Sequence, residues 1–135
     1  MKLATVDGRL RLVPGPESEA HLQERLVRHI RARLVPGAVF FAVPNGGKRQ
    51  AREAAALRRQ GVVPGVPDLL FLCCGVLHGL ELKTAKGKAS EAQKDMLRAL
   101  GAAHARVAIA HGFDEAVECL DGWGLLLPAN NRKRG

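Results

Sequence analysis

The stretch that decides the fold runs from Gly61 to Lys83 and reads GVVPGVPDLLFLCCGVLHGLELK. It holds two apolar runs with the length and composition of buried strands. Asp68 precedes the first run, and Glu81 and Lys83 end the second. Burying a charge is costly unless the charge is paired or binds a metal. The three residues therefore predict a functional site, and the alternative is a buried ion pair between Lys83 and one of the two carboxylates.

The two apolar runs, at 69–73 and 76–83, are predicted to be consecutive strands joined by a turn. Side chains alternate between the two faces of a strand, so Glu81 and Lys83 share one face. A proline-rich segment that cannot be helical leads into Asp68. If the two strands pair with each other, Asp68 comes to lie beside Glu81 and Lys83.

Two predicted helices carry polar residues on faces that are otherwise apolar. Ser18 is a good N-cap for a helix that reaches about residue 34. Its apolar stripe continues at the N-terminal end into Glu19 and Gln23. Periodicity leaves two interpretations of Glu19 open, a site residue or a complement to the helix dipole. In a later helix, capped by Ser90, Gln93 lies on the same side as the apolar residues. The stripe of the first helix is Leu22, Leu26, Ile30 and Leu34.

The remaining segments complete an α/β pattern. The uncharged segment 38–43 is predicted to be an interior strand, followed by a helix at about 49–60. A further strand is expected at 106–110, and then a short helix capped by Asp114. The order predicts one α/β domain, with a mixed sheet of about four strands flanked by helices on both faces.

The domain limits follow from breaks in this pattern. Residues 1–17 form an N-terminal arm, either a small hairpin around Asp7-Gly8 or a loose segment. Residues 18–127 form the domain, and 128–135 form a flexible basic tail. With 135 residues, the chain is long enough for one ordinary core and too short for two full domains.

Charge indicates a polyanionic partner. The net charge is +8, and residues 1–61 hold 12 Lys and Arg against 5 Asp and Glu, while 62–135 hold 9 against 8. With no Tyr, one Trp and four Phe, the chain lacks platforms for base stacking, which favours contacts to backbone phosphates. A Gly-Gly loop with two basic residues could cradle a phosphate, or it could be a plain exposed turn. The candidate DNA-binding residues are Asn45, Lys48, Arg49, Arg52, Lys86 and Lys88.

The acidic residues suit divalent-metal chemistry on phosphates. Mg²⁺ prefers hard oxygen ligands and keeps several waters, so one or two carboxylates with a backbone carbonyl suffice. Asp68, Glu81 and the Leu82 carbonyl are the candidate ligands. Lys83 could orient a water, stabilise the transition state or accept a proton, and the sequence does not decide among these roles.

Several motifs together resemble one nuclease family. They are PGVPDL at 64–69, GLELKTAKGKAS at 79–90 followed by Gln93, S-E-x-x-x-Q at 18–23, and VPNGGKR at 43–49. This combination resembles the VRR-NUC branch of the PD-(D/E)xK nuclease superfamily, and the resemblance covers about residues 18–120.

The resemblance implies a restriction-endonuclease-like core and a role for each matching residue. Asp68 and Glu81 would bind Mg²⁺ or Mn²⁺, and Lys83 would be the catalytic lysine. Gln93 would support the site, and Glu19 would be the acid of the first helix. The activity implied is a structure-specific DNA endonuclease, related to dimeric enzymes that resolve four-way (Holliday) junctions. The alternatives are a monomeric flap or nicking nuclease and a non-catalytic DNA-binding module.

Cysteine usage and hydropathy indicate the compartment. Cys73, Cys74 and Cys119 do not form a disulfide framework or a zinc motif, and buried reduced thiols are the expectation. No apolar run reaches about 18 residues, so no transmembrane segment is predicted. We therefore expect no membrane partner and a location in the cytoplasm of a bacterial or phage-infected cell.

Overall fold

A computed structural model describes residues 2–13, 15–44 and 51–129. The elements, in chain order, are β1 Lys2–Val6, β2 Arg9–Val13, α1 Glu19–Arg33, β3 Val39–Ala42, α2 Ala51–Arg59, β4 Leu69–Cys73, β5 Val76–Lys83, α3 Glu91–Ala102, β6 Arg106–His111 and α4 Phe113–Gly122.

The central sheet has four strands in the order β3-β4-β5-β6. The β3–β4 and β4–β5 pairs are antiparallel, and β5 pairs with β6 in parallel. The sheet is therefore mixed, as the element order predicts. Leu69 pairs with Leu80, which sets the register of the β4–β5 hairpin, and Lys83 pairs with His111 where β5 and β6 end.

Helices cover both faces of this sheet. On one face, the stripe of α1 and the inner residues of α4 pack on alternate residues of β4, β5 and β6 to form the core. On the other face, α3 contacts β6, where Gly101 approaches Val107. The fully buried core residues include Leu22, Leu26, Ile30, Leu69, Phe71, Leu80, Leu82 and Leu120.

The prediction that residues 38–43 form an interior strand is wrong, because β3 is an edge of the sheet. Phe40 stacks on Phe71 and covers the core, but Val39 and Phe41 on the opposite face are 58% and 51% exposed. The absence of charged residues in a strand does not show whether another strand pairs with it on one side or on both.

The N-terminal segment forms a hairpin rather than a loose arm. β1 pairs with β2 through a turn at Asp7 and Gly8, which both have positive φ, as a two-residue hairpin turn requires. The hairpin makes few contacts with the rest of the described chain.

Two local predictions also need correction. The N-cap of α4 is Gly112, not Asp114, and Asp114 lies in the first turn, where a carboxylate complements the helix dipole. Cys74 is exposed rather than buried, because it occupies the β4–β5 turn, where its φ is 53°. Cys73 and Cys119 are half-buried.

None of the helices in the described parts of the chain is long and apolar enough to cross a membrane. Residues 130–135 of the predicted basic tail lie outside the described residues.

Candidate active site

The pairing of β4 with β5 brings Asp68 next to Glu81. Because Leu69 pairs with Leu80, the residue before β4 faces the residue that follows Leu80. Asp68 Oδ2 accepts a hydrogen bond of 2.8 Å from the backbone N–H of Leu82. This bond holds the Asp68 carboxylate at the point where β4 no longer offers β5 a backbone partner.

Glu81 is a carboxylate enclosed within the protein. Only 2% of the residue is exposed, and its Oε1 accepts a hydrogen bond of 2.8 Å from Gln93 Nε2. Burial, and then the neighbouring Asp68 carboxylate, raise the pKa of Glu81 from 4.5 to about 8, although Lys83 opposes the shift. Two acids in contact, one of them buried, form a site that a cation stabilises.

Lys83 lies between two carboxylates and binds neither tightly. Its Nζ is 3.5 Å from Oε1 of Glu81 and 3.7 Å from Oε1 of Glu19. Charge-assisted hydrogen bonds are normally 2.7–2.9 Å long. The Lys83 side chain is 9% exposed, and its ammonium is held at the site without a short bond that would fix it to one partner.

Gln93 ties the first turn of α3 to Glu81. Its Oε1 accepts a hydrogen bond of 2.8 Å from the backbone N–H of Ser90, and Ser90 Oγ accepts one of 3.2 Å from the backbone N–H of Gln93. This is a capping box, which leaves the Nε2 group free to donate to Glu81. One side chain therefore fixes a helix terminus and a site carboxylate.

A cavity of about 550 Å³ opens beside these residues. In an extended strand, the N–H and C=O of one residue point to the same edge, so the Leu82 carbonyl is directed to the side where Asp68 accepts from its N–H. The cavity is lined by Glu19, Ala20, Gln23, Ala42, Val43, Pro44, Asp68 and Leu82. The candidate ligands Asp68 and Leu82 thus line it, whereas Glu81 and Lys83 are buried.

Gln23 also lines this cavity, although the sequence prediction did not include it among the site residues. The available signal was its place as a polar residue on the apolar stripe of α1, one turn after Glu19. Glu19 itself lines the cavity, but its side chain is 50% exposed, so the expectation that it continues the buried line is wrong. Glu19 is the first residue of α1, and its half-exposed side chain lines the cavity.

The loop before Asp68 packs against α3. Gly65 has a φ of +83°, and a Cβ at this position would overlap the carbonyl group of Ala92 and lie 2.8 Å from the backbone N of Gln93. Only glycine fits this close approach. The contact fixes the segment that leads to Asp68 against the helix turn that carries Gln93.

The predicted DNA-binding residues lie partly within the described chain. Arg52 is exposed in the first turn of α2, and Lys86 and Lys88 are exposed in the loop after β5. The predicted residues Asn45, Lys48 and Arg49 lie outside the described residues.

The donors present fit a magnesium-type ion. The part of the chain that the structure describes contains no group of three or more His, Cys, Asp or Glu side chains able to hold a metal. The pair of Asp68 and Glu81, with the Leu82 carbonyl, offers only hard oxygen donors, and Mg²⁺ and Mn²⁺ are bound by such small sets together with waters and phosphate. Burial and the neighbouring Asp68 carboxylate raise the pKa of Glu81, so a cation bound at this pair would offset the repulsion between the two acids.

The fold and the site together define an α/β domain of the restriction-endonuclease-like type. Among solved structures, the chain is similar to a "VRR_NUC domain protein", with a TM-score of 0.65 and 19% identity over 79% of this chain and 88% of the other. It is also similar to a "VRR_NUC domain", with a TM-score of 0.54 and 18% identity over 78% of this chain and 96% of the other. No family model matches the sequence, and the search of curated proteins finds no match. The chain has the VRR-NUC fold, as its motifs predict.

Proposed function

We propose that this protein is a Mg²⁺- or Mn²⁺-dependent endonuclease that hydrolyses phosphodiester bonds in structured DNA. The observation that carries the proposal is the contact of the half-buried Asp68 with the buried Glu81, with Lys83 Nζ 3.5 Å from Glu81 Oε1, beside a cavity that Asp68 lines. The VRR-NUC fold supports the same assignment.

Asp68, Glu81 and the Leu82 carbonyl would hold the ion. When bound, such an ion stabilises the charge that develops on the phosphate and lowers the pKa of a water that attacks it. The residues of this chain prepare the site for it. Asp68 is oriented by the Leu82 N–H, and Glu81 is oriented by Gln93. Because Gln93 is fixed in the first turn of α3, its hydrogen bond holds the Glu81 carboxylate in place before the ion binds.

Lys83 supplies the positive charge on the protein side of the reaction. Its long contacts to Glu19 and Glu81 leave its ammonium able to donate to a phosphate oxygen or to the attacking water. Either donation stabilises negative charge that is larger in the transition state than in the substrate. Glu19 lines the cavity and its Oε1 lies 3.7 Å from Lys83 Nζ, so the carboxylate would help to hold the ammonium at the site.

The substrate that we propose is a four-way junction, cut by a homodimer. One chain carries one such site, and a two-fold dimer would present two sites to strands of opposite polarity. The net charge of +8 supports binding to backbone phosphates, with Arg52, Lys86, Lys88 and the segment with Asn45, Lys48 and Arg49 as contacts. The compartment that fits this substrate is the cytoplasm of a bacterial or phage-infected cell.

A panel of four-way, flap, nicked and linear DNA, each with Mg²⁺, Mn²⁺ or Ca²⁺, tests the proposal. We expect cleavage of the four-way junction with Mg²⁺ or Mn²⁺, at symmetric positions, and a dimer mass by light scattering. Cleavage of flaps or nicked duplexes by a monomer would replace the junction assignment. Binding without cleavage of any substrate would contradict the enzymatic assignment and leave a DNA-binding module.

A further inference from the structure

The candidate site does not end at the carboxylates, because a second cavity continues from it along α1. This cavity has a volume of about 500 Å³ and is lined by Ala20, Gln23, Glu24, Val27, Arg28 and Arg31. It shares Ala20 and Gln23 with the cavity that reaches Asp68 and Leu82. The two cavities share this part of α1, and we call the continuous face of α1 from Glu19 to Arg31 the α1 groove, with an acidic end at Glu19 and a basic end at Arg28 and Arg31.

The walls of the α1 groove suit an extended anionic chain. Val27 packs against the core and gives the groove an apolar floor, while Gln23 offers amide groups midway. Gln23 and Arg31 are eight residues apart, which is about 12 Å along a helix. One strand of B-DNA places roughly three nucleotides over that length, at 3.4 Å each along the axis.

The arginines of α1 divide into two groups by their contacts. Arg25 binds Glu17 through two hydrogen bonds of 2.7 and 2.9 Å, and Arg33 binds Asp121 at 3.1 Å. These two arginines hold the fold together. The two that line the α1 groove form no ion pair with any residue of 2–13, 15–44 or 51–129, and both are exposed.

From this arrangement we infer that Arg28 and Arg31 bind backbone phosphates of the cleaved strand, about two to four nucleotides beyond the point where the strand passes Gln23. The inference rests on the proposed nuclease function and adds a binding subsite to it. The groove holds the strand by phosphates rather than by bases, so it fixes the distance between the scissile bond and the next contact without reading sequence.

Glu24 lies in the same groove and opposes phosphate binding. Its carboxylate is exposed and shares the wall with Arg28, four residues further on. A groove that binds DNA should therefore respond in opposite directions to neutralisation of the acid and of the arginines. The direction of the change in DNA affinity therefore tests the inference, in addition to the magnitude of the change.

The test measures binding of the wild-type protein to a four-way junction in Ca²⁺ at several salt concentrations. The variant Arg28→Gln with Arg31→Gln should bind at least tenfold more weakly. The slope of log K against log salt should become smaller in magnitude by about 2, since each lost phosphate contact removes about 0.9. Glu24→Gln should bind more tightly than the wild-type protein. Glutamine suits an exposed helix position, so the fold is retained.

A control removes the same charge elsewhere. Arg98→Gln with Arg106→Gln lowers the net charge equally, and Arg106 begins β6, at the end of the sheet far from Lys83. This control should leave the salt slope close to the wild-type value. An equal fall in slope for both double variants would overturn the α1 groove and indicate a general charge effect.

A substrate series places the subsite along the strand. Two junctions are compared, in which the cleaved strand ends within two nucleotides of the scissile bond on its 5′ side or on its 3′ side. In one of the two, the wild-type protein and the arginine variant should bind with equal affinity, and in the other the difference in affinity should remain. Retention of the difference on both sides would contradict the subsite. Absence of cleavage on every substrate, by contrast, would overturn the proposed nuclease function, and the slopes in Ca²⁺ would still report on the groove.

Discussion

At the scale of single residues, the site depends on how two carboxylates are kept next to each other. Asp68 is held by the backbone of β5, and Glu81 by Gln93 and Lys83. In the absence of a cation, the buried Glu81 is the group that adapts, because burial and the Asp68 charge raise its pKa to about 8. The folded protein without a cation is therefore more stable when Glu81 carries a proton, whereas a cation binds more tightly when Glu81 is ionised.

This electrostatic arrangement predicts a pH dependence of stability in EDTA. The folded-state pKa of Glu81, about 8, lies above the value of 4.5 expected in the unfolded chain. The folded protein therefore holds an additional proton between these values, and the contribution to stability is lost as the pH rises through about 8. Denaturant unfolding should show the wild-type protein losing stability relative to Glu81→Gln between about pH 5 and about pH 8, with no further change above about pH 8. A stability difference that does not change with pH would contradict the raised pKa.

Gln93 allows its two roles to be separated by substitution. Gln93→Ala removes both the capping acceptor and the donor to Glu81, so we expect cleavage to fall about 10- to 100-fold and stability to fall by about 1 kcal/mol. Gln93→Glu retains the acceptor, because a capping box accepts either residue, and replaces only the donor by a third carboxylate. Single-turnover cleavage and denaturant unfolding measure the two effects.

The expected pattern is that Gln93→Glu loses cleavage to a similar extent as Gln93→Ala and keeps the helix cap. Wild-type cleavage by Gln93→Glu would show that the hydrogen bond to Glu81 has no part in the reaction.

At the scale of elements, the site is assembled where four segments meet. The loop before β4 delivers Asp68, the end of β5 delivers Glu81 and Lys83, and the first turns of α1 and α3 deliver Glu19 and Gln93. The β4–β5 register places Asp68 beside Glu81, and the contact of Gly65 with α3 fixes the loop before β4 against the helix that carries Gln93.

The contact at Gly65 predicts a difference between two glycine substitutions. Gly65→Ala places a Cβ against the Ala92 carbonyl, so loop and helix must separate, and we expect a loss of about 1–3 kcal/mol together with reduced cleavage. Gly61→Ala is the matched control, since its φ is +95° but no atom lies within 4 Å of the added Cβ. It should show the cost of the backbone conformation alone.

Thermal or denaturant unfolding of both variants, with single-turnover cleavage at a temperature where both are folded, measures the difference. Equal stability and equal cleavage in the two alanine variants would mean that the packing of the loop on α3 does not position Asp68.

At the scale of the whole molecule, the sequence predicts which helices and strands form better than it predicts where each one lies in the sheet. The four-stranded mixed sheet, the β4–β5 pairing and the position of Asp68 beside Glu81 follow from apolar runs, a turn and a period of two. These signals are local, and the pairing of consecutive strands is the commonest arrangement. The edge position of β3 was not predictable, because an uncharged strand carries no record of which side its neighbour occupies.

The same limit applies to the site. Glu81, Lys83 and Gln93 were predictable because a polar residue on an apolar face is conspicuous in sequence. The exposure of Glu19 and the continuation of the cavity past Gln23 to Arg31 depend on how α1 lies against the end of the sheet. A long-range packing angle of this kind is not encoded in any short motif.

The most direct test of the proposed active site is single-turnover cleavage of a four-way junction with Mg²⁺ or Mn²⁺ by Asp68→Asn and Lys83→Ala, with binding measured in Ca²⁺. Asp68→Asn keeps an oxygen that can accept from the Leu82 N–H and loses the charge, so folding should be retained. Both variants should cleave at least about 10²- to 10³-fold more slowly than the wild-type protein and bind the junction with similar affinity. Wild-type rates of cleavage by either variant would show that Asp68 and Lys83 do not form the active site.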